Sequence, residues 1–213
     1  MDIDNLAGWL QQRLTEPLPG RDAQLKMSSM KRIRQLLKFA VPAHARSSAV
    51  LILLYPLHGT TGLVLMQRPE YPGVHGGQIS LPGGKYEEGD ADSEATALRE
   101  AKEEIGVNVQ SIHILGRLTP LYIPPSNFLV TPVIGMSKER PVFHPDPEEV
   151  SGVIEIRVED LLDDRLLQTR SIRIGTELTL KAPAYCINGH VIWGATAMIL
   201  SELKVMLEDR KKQ

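Results

Sequence analysis

The sequence predicts a single domain of mixed α and β structure. Aliphatic, β-branched runs of strand length stand at residues 47–55, 62–68 and 128–136, and such runs bounded by turn residues read as buried strands. Between and after them, 93–105 and 194–207 read as helices. A chain of 213 residues is long enough for one well-buried domain and short for two.

Residues 3–14 place Ile3, Leu6, Leu10 and Leu14 at helical spacing with Trp9 beside them, an amphipathic helix. Its apolar face has no evident partner in the sequence, which makes a homodimer a reasonable expectation. The Pro, Gly and Ser punctuation of 18–30 reads as a loop or arm, so 1–46 is expected to form an N-terminal helix and arm ahead of a globular 47–213. Lys31, Arg32 and Arg34 form a basic cluster, either a solvated face or a group that meets a substrate phosphate.

The strands at 47–55 and 62–68 are joined by the tight turn HGTT, and the glycine- and proline-rich 68–84 reads as loop. In that loop His75 either shapes the chain or acts as base or ligand. The helix at 93–105 has Asp92 or Ser93 as N-cap and Gly106 as its left-handed end; Leu98, Ala101 and Ile105 share its core stripe. Residues 111–124 read as strand, turn and strand. After 128–136 come a loop, a strand and a short helix through Leu162, then short strands over 171–193 with Asn188-Gly189 as a hairpin turn. Trp193 reads as packing.

Composition excludes several classes. With 42% apolar residues, 23% charged residues and a net charge of −2, no global field favours nucleic acid or an anionic membrane. The apolar run from Ala49 to Leu57 is too short to span a bilayer. One cysteine, Cys186, allows no intrachain disulfide. The opening MDIDNLAGWLQQRL is acidic and unlike a secretory signal, so a cytoplasmic setting is expected.

The chemistry is carried by 83–107, GGKYEEGDADSEATALREAKEEIGV. Glu100, Glu103 and Glu104 crowd one and a half helical turns and repel one another. Either this is a solvated face diluted by Arg99 and Lys102, or the carboxylates serve a hard divalent cation, which prefers oxygen ligands. The preceding glycine pair and the small Ala97 and Ala101 favour the second reading.

This stretch resembles the box of the Nudix hydrolase family, G-x5-E-x7-R-E-U-x-E-E-x-G-U with U apolar. The half from Arg99 to Val107 matches in full. In the first half Asp90 replaces the glutamate, and eight residues rather than seven precede Arg99. That lengthened spacing is similar to the coenzyme A pyrophosphatase branch. So is the upstream loop, where Leu65, Arg68, Gly77, Pro82, Gly83 and Gly84 stand at the branch's spacings, with Gln78 and Ser80 in its G-Q-x-S manner. Departures include Pro69, Leu81 and Gly73, the last replacing an arginine.

The resemblance implies an α/β fold, the Nudix α/β/α sandwich with a mixed β-sheet between helices. It implies Mg2+ or Mn2+ as cofactor and hydrolysis of a nucleoside diphosphate derivative, with coenzyme A or its thioesters the leading substrate. ADP-ribose, a dinucleotide or a non-catalytic nucleotide-binding role are the alternatives. Glu100 and Glu104 are then metal ligands, and Glu103 a further ligand or base. Glu149, with Glu148 as fallback, is a base or extra carboxylate from a loop. Arg99 orients a glutamate, Arg68 and Gln78 meet substrate, and Gly83 and Gly84 let the backbone approach it.

Overall fold

In the computed structural model, residues 2–29, 41–70, 76–174 and 178–211 are described. Lys31, Arg32, Arg34, Gly73 and His75, singled out in the sequence, lie outside the described residues. The scaffold is built on β1 (Arg46–Leu57), whose both faces are buried. Its residues alternate sides: Ala49, Leu51, Leu53 and Tyr55 join one apolar cluster, Ile52 and Leu54 the other. A strand covered on both faces reads as a continuous apolar run, which is what 49–55 is.

β2 (Thr60–Gln67) returns antiparallel to β1 across a turn in which His58 and Gly59 both have positive φ, 47° and 80°. This matches the right-handed twist of a two-residue hairpin. β3 (Ile79–Ser80) extends β2, and β4 (Gly83–Lys85) pairs with the start of β1. After the helix described below come β5 (Ile112–Arg117), β6 (Leu121–Ile123) and β7 (Phe128–Ser137); β7 lies parallel to β1 and antiparallel to β5 and β6. β8 (Gly152–Arg157) pairs antiparallel with β2. The sheet is therefore mixed, as expected. The expected short helix after it is a pair of 3-10 turns, 158–162 and 164–166.

One face of the sheet is covered by α3 (Ser93–Ile105), the other by α1 (Ile3–Arg13) and α4 (Gly194–Lys211). β9 (Leu167–Ile174), β10 (Leu178–Ile187) and β11 (His190–Trp193) form a separate antiparallel sheet. Asn188 and Gly189 turn its last hairpin with φ of 51° and 83°. α4 is buried almost all round, which suits a helix packed on more than one side.

Two readings of the N-terminal region are corrected here. The apolar face of α1 has its partner within the chain: Leu6 and Leu10 are fully buried in the core with α4, so that face gives no reason to invoke a second copy. Within the expected loop, Gly20–Leu25 is a helix, α2, docked on α4. The docking is polar. Glu202 is fully buried and accepts from Gly20 N–H at 3.0 Å, Thr119 Oγ1 at 2.6 Å and Gln24 Nε2 at 2.9 Å, so its oxygens are satisfied without a cation. Among the described residues no helix is long and apolar enough to cross a membrane.

Candidate active site

The site is organised by α3. Asp92 Oδ1 accepts from the N–H groups of Glu94 and Ala95, both at 2.9 Å, and Gly106 ends the helix at φ 65°. Both ends are as the sequence predicts. The buried stripe runs through Ala97, Ala101, Glu104 and Ile105, whereas Leu98 is only half-buried. Positions 97, 101 and 104 are spaced four and three apart, so Glu104 follows the two alanines inward, while Glu103 lies about 100° round the helix. Side-chain exposure is accordingly 2% for Glu104, 14% for Glu100 and 57% for Glu103.

Glu104 is pinned. Its Oε2 accepts from Gly83 N–H at 2.7 Å and its Oε1 lies 3.4 Å from the Arg68 guanidinium. Burial pushes its carboxyl up to about 7; the Gly83 N–H and Arg68 pull it back, and Glu100 and Glu149 push it further. Burial likewise raises Glu100, against the pull of Arg99 and with a push from Glu103 and Glu149. Glu100 and Glu104 thus each sit in a field of like charge.

The glycine pair makes this proximity possible. Gly83 has φ 148°, and a Cβ there would lie 2.3 Å from the carbonyl oxygen of Ala49. A Cβ on Gly84 would sit 2.5 Å from all three atoms of the Glu100 carboxylate. β4 can lie against β1 at Gly83 and under α3 at Gly84 only without side chains at those positions.

Arg99 has its fork filled by protein. Its Nε and NH2 each reach Asp90 at 3.0 Å, NH1 donates to Glu100 at 3.0 Å and Glu103 at 2.9 Å, and NH2 also reaches the Lys85 carbonyl at 2.9 Å. Asp90, itself buried, also accepts from Thr96 Oγ1 and Glu87 N–H. The Arg99 pairing holds the Asp90 carboxyl well below the usual carboxylate range. Asp90, which stands in the sequence only as a departure from the box, therefore anchors the arginine that braces Glu100 and Glu103. Its signal was present: an acid at the box's acidic position, displaced by one residue.

The opposite wall comes from residues 143–151. His144 N–H and Asp146 N–H donate to the last carbonyls of α3, Ile105 and Glu104, both at 2.9 Å. Asp146 then holds a turn, accepting at its carbonyl from Glu149 and Val150 N–H and at Oδ1 from Glu148 N–H. Val150 is buried beneath it. This brings Glu148 and Glu149 to face Glu100 and Glu104 across a cavity of about 290 Å³, with Arg68 and Lys85 on its walls and Gly83 and Gly84 beside them. Lys85 was not picked out in the sequence. Arg99, Glu103 and Gln78 do not line the cavity. Gln78 instead accepts Arg68 N–H with its carbonyl at 3.0 Å.

The donor set suits a hard divalent cation: oxygen ligands only, and mutual repulsion that a cation would relieve. Among the described residues no three acidic, histidine or cysteine side chains close into a cage. Mg2+-type binding takes one or two carboxylates and fills its other positions with water and substrate phosphate. Glu100 and Glu104 would hold such an ion, with Glu149 across from them.

A buried Glu104 and a half-buried Glu100 on a capped helix, a side-chain-free strand beneath them and an acidic turn opposite define an acid-lined cavity suited to a hard cation. Residues 45–173 match the NUDIX domain model, and the chain belongs to the Nudix hydrolase family. It is 31% identical over 172 residues to a Nudix hydrolase termed NudL from Pectobacterium atrosepticum, covering 79% of this chain and 87% of that one. With NudL from Yersinia enterocolitica it shares 35% over 162 residues, 76% and 81% of the two chains. Among solved structures it is similar to the Nudix hydrolase RenU from M. smegmatis, with a TM-score of 0.55 at 16% identity, over 78% of this chain and 87% of that one; this likeness concerns the fold. The chain is thus a pyrophosphohydrolase by family, a family that generally uses divalent metal ions, commonly Mg2+ or Mn2+.

Proposed function

We propose that this protein hydrolyses the diphosphate bond of coenzyme A or an acyl-coenzyme A. The products would be phosphopantetheine (or its acyl form) and adenosine 3′,5′-bisphosphate. The observation that carries the chemistry is the single cavity in which Glu100, Glu104, Glu148 and Glu149 face Arg68 and Lys85. The upstream loop's resemblance to the coenzyme A branch carries the substrate.

In this reading Arg68 and Lys85 take the phosphate oxygens, offsetting charge that would repel an attacking water. Glu149 removes that water's proton as the new P–O bond forms, and the bridging P–O bond breaks to release the second phosphate. Glu149 is favoured as base over Glu103 because it lines the cavity, while Glu103 is exposed and held on Arg99. Arg99, fixed by Asp90, keeps Glu100 in place. Mg2+ or Mn2+ on Glu100 and Glu104 would neutralise phosphate charge and lower the pKa of the attacking water. The lone cysteine suits a reducing, cytoplasmic setting.

A second reading keeps the chemistry and changes the substrate to ADP-ribose or a dinucleotide; Gly73, in place of the branch's arginine, favours it. Coenzyme A, an acyl-coenzyme A, ADP-ribose and a reduced dinucleotide should be incubated in parallel with the protein and either metal, with products identified by mass spectrometry. Adenosine 3′,5′-bisphosphate released fastest from the coenzyme A compounds is the expected result. Faster cleavage of ADP-ribose or the dinucleotide would replace the substrate, and no cleavage of any of the four would overturn both substrate readings in favour of another substrate or a nucleotide-binding role.

A further inference from the structure

A second cavity, about 550 Å³, opens beyond the C-terminal end of α3, where Gly106 forms part of its wall. It is lined by none of the carboxylates that face the catalytic cavity. Its size falls in the range of small-molecule sites, and nothing in the proposed hydrolysis uses it.

Its charge is set by few groups. Lys138 lines it and has no ion pair among the described residues. Arg140 is already committed, with its Nε 3.0 Å and NH2 2.5 Å from the two oxygens of Glu155. Glu139 is the one carboxylate on the wall. His113 and His144 also line it, and an imidazole supplies at least one N–H donor in any protonation state. The carbonyls of Glu104 and Ile105, at the negative end of α3, are taken up by Asp146 and His144 N–H and so are capped towards this side. Pro141 and Val142 complete the rim, and Val142 is 71% exposed, an apolar surface left for a ligand to cover.

An ammonium and two imidazoles, one group from β5 and two from the connection between β7 and β8, match a group with several acceptor oxygens better than a two-oxygen carboxylate. The cavity is far larger than a bare phosphate, so the ligand also has an organic body. We propose that this cavity binds a phosphorylated small molecule, its phosphate on Lys138, His113 and His144 and its body against Pro141 and Val142. The site shares no lining residue with the catalytic cavity, and the two are joined along the chain. His144 stands two residues before Asp146, which holds the turn carrying Glu148 and Glu149.

The test needs no turnover, so it stands or falls separately from the hydrolase reading. Histidine imidazole resonances of the full chain are followed in EDTA at constant ionic strength, during titration with inorganic phosphate and with phenyl phosphate. Saturable shifts at His113 and His144 are expected, with phenyl phosphate the tighter probe. Lys138→Glu, at an exposed position, should weaken binding by about tenfold or more, whereas Glu104→Gln should leave it unchanged. Shifts that do not saturate, that ignore Lys138→Glu, or that are no tighter for phenyl phosphate would each overturn the proposal.

Discussion

Replacing Glu104 by Gln should separate the stability of the site from its chemistry. Burial raises this carboxyl from 4.5 to about 7 in the metal-free chain, and each pH unit of that displacement corresponds to about 1.4 kcal/mol. Ionising Glu104 therefore destabilises the metal-free fold by about 3 kcal/mol, an order-of-magnitude figure. The sign follows from proton binding. Between the unfolded and folded values the native chain holds a proton that the unfolded chain has released. The contribution is thus fully present below the unfolded value and is lost as pH rises towards 7. Gln keeps the shape and the acceptor for Gly83 N–H but cannot ionise. Urea unfolding in EDTA at pH 5, 6, 7 and 8 should show the variant gaining on the wild type by about 2 kcal/mol or more across that range. With Mg2+ or Mn2+ present, the same substitution should lower turnover by about two orders of magnitude. Parallel pH–stability curves for the two proteins would refute the reasoning, since they would mean that Glu104 is not held in a charge-averse site.

Three further substitutions probe the supports. Gly84→Ala puts a Cβ 2.5 Å from the Glu100 carboxylate and should cut kcat about tenfold or more with little change in Tm, because a displaced carboxylate rather than a lost core contact is at stake; unchanged kcat would contradict the close approach. Asp90→Ala frees Arg99 from its bidentate partner and should lower both kcat and stability, the latter by about 2 kcal/mol in urea unfolding, with Asp90→Glu restoring part of each. Glu202→Ala strands the donors of Gly20, Gln24 and Thr119 and should destabilise by about 3 kcal/mol; a loss under about 1 kcal/mol would show that the docking of α2 contributes little.

Local features were legible in the chain, and long-range ones were not. The caps of α3 and the turns at His58-Gly59 and Asn188-Gly189 depend on neighbours within a few residues, so residue type and spacing foretold them, and the unbroken apolar run of β1 marked it as a buried strand. The ranking of the three glutamates was not foretold. The helix turns Ala97 and Ala101 fully inward and leaves Leu98 partly buried at the edge of the same cluster. Burial of Glu104 and exposure of Glu103 follow from that orientation. Glu149 was reachable only through family likeness, because two main-chain hydrogen bonds to the end of α3 carry its turn to the site. The role of α2 depends on Glu202, nearly the whole chain away, and no local pattern announces such a contact.

The central claim is that the cavity between α3 and the 143–151 segment holds the divalent ion. Electron paramagnetic resonance of Mn2+ titrated into wild-type, Glu100→Gln, Glu104→Gln and Glu103→Gln proteins tests it most directly. The account predicts one class of site, weakened about tenfold or more by the first two substitutions and little by the third, whose carboxylate is exposed outside the cavity. Mn2+ binding that survives both Glu100→Gln and Glu104→Gln would contradict it.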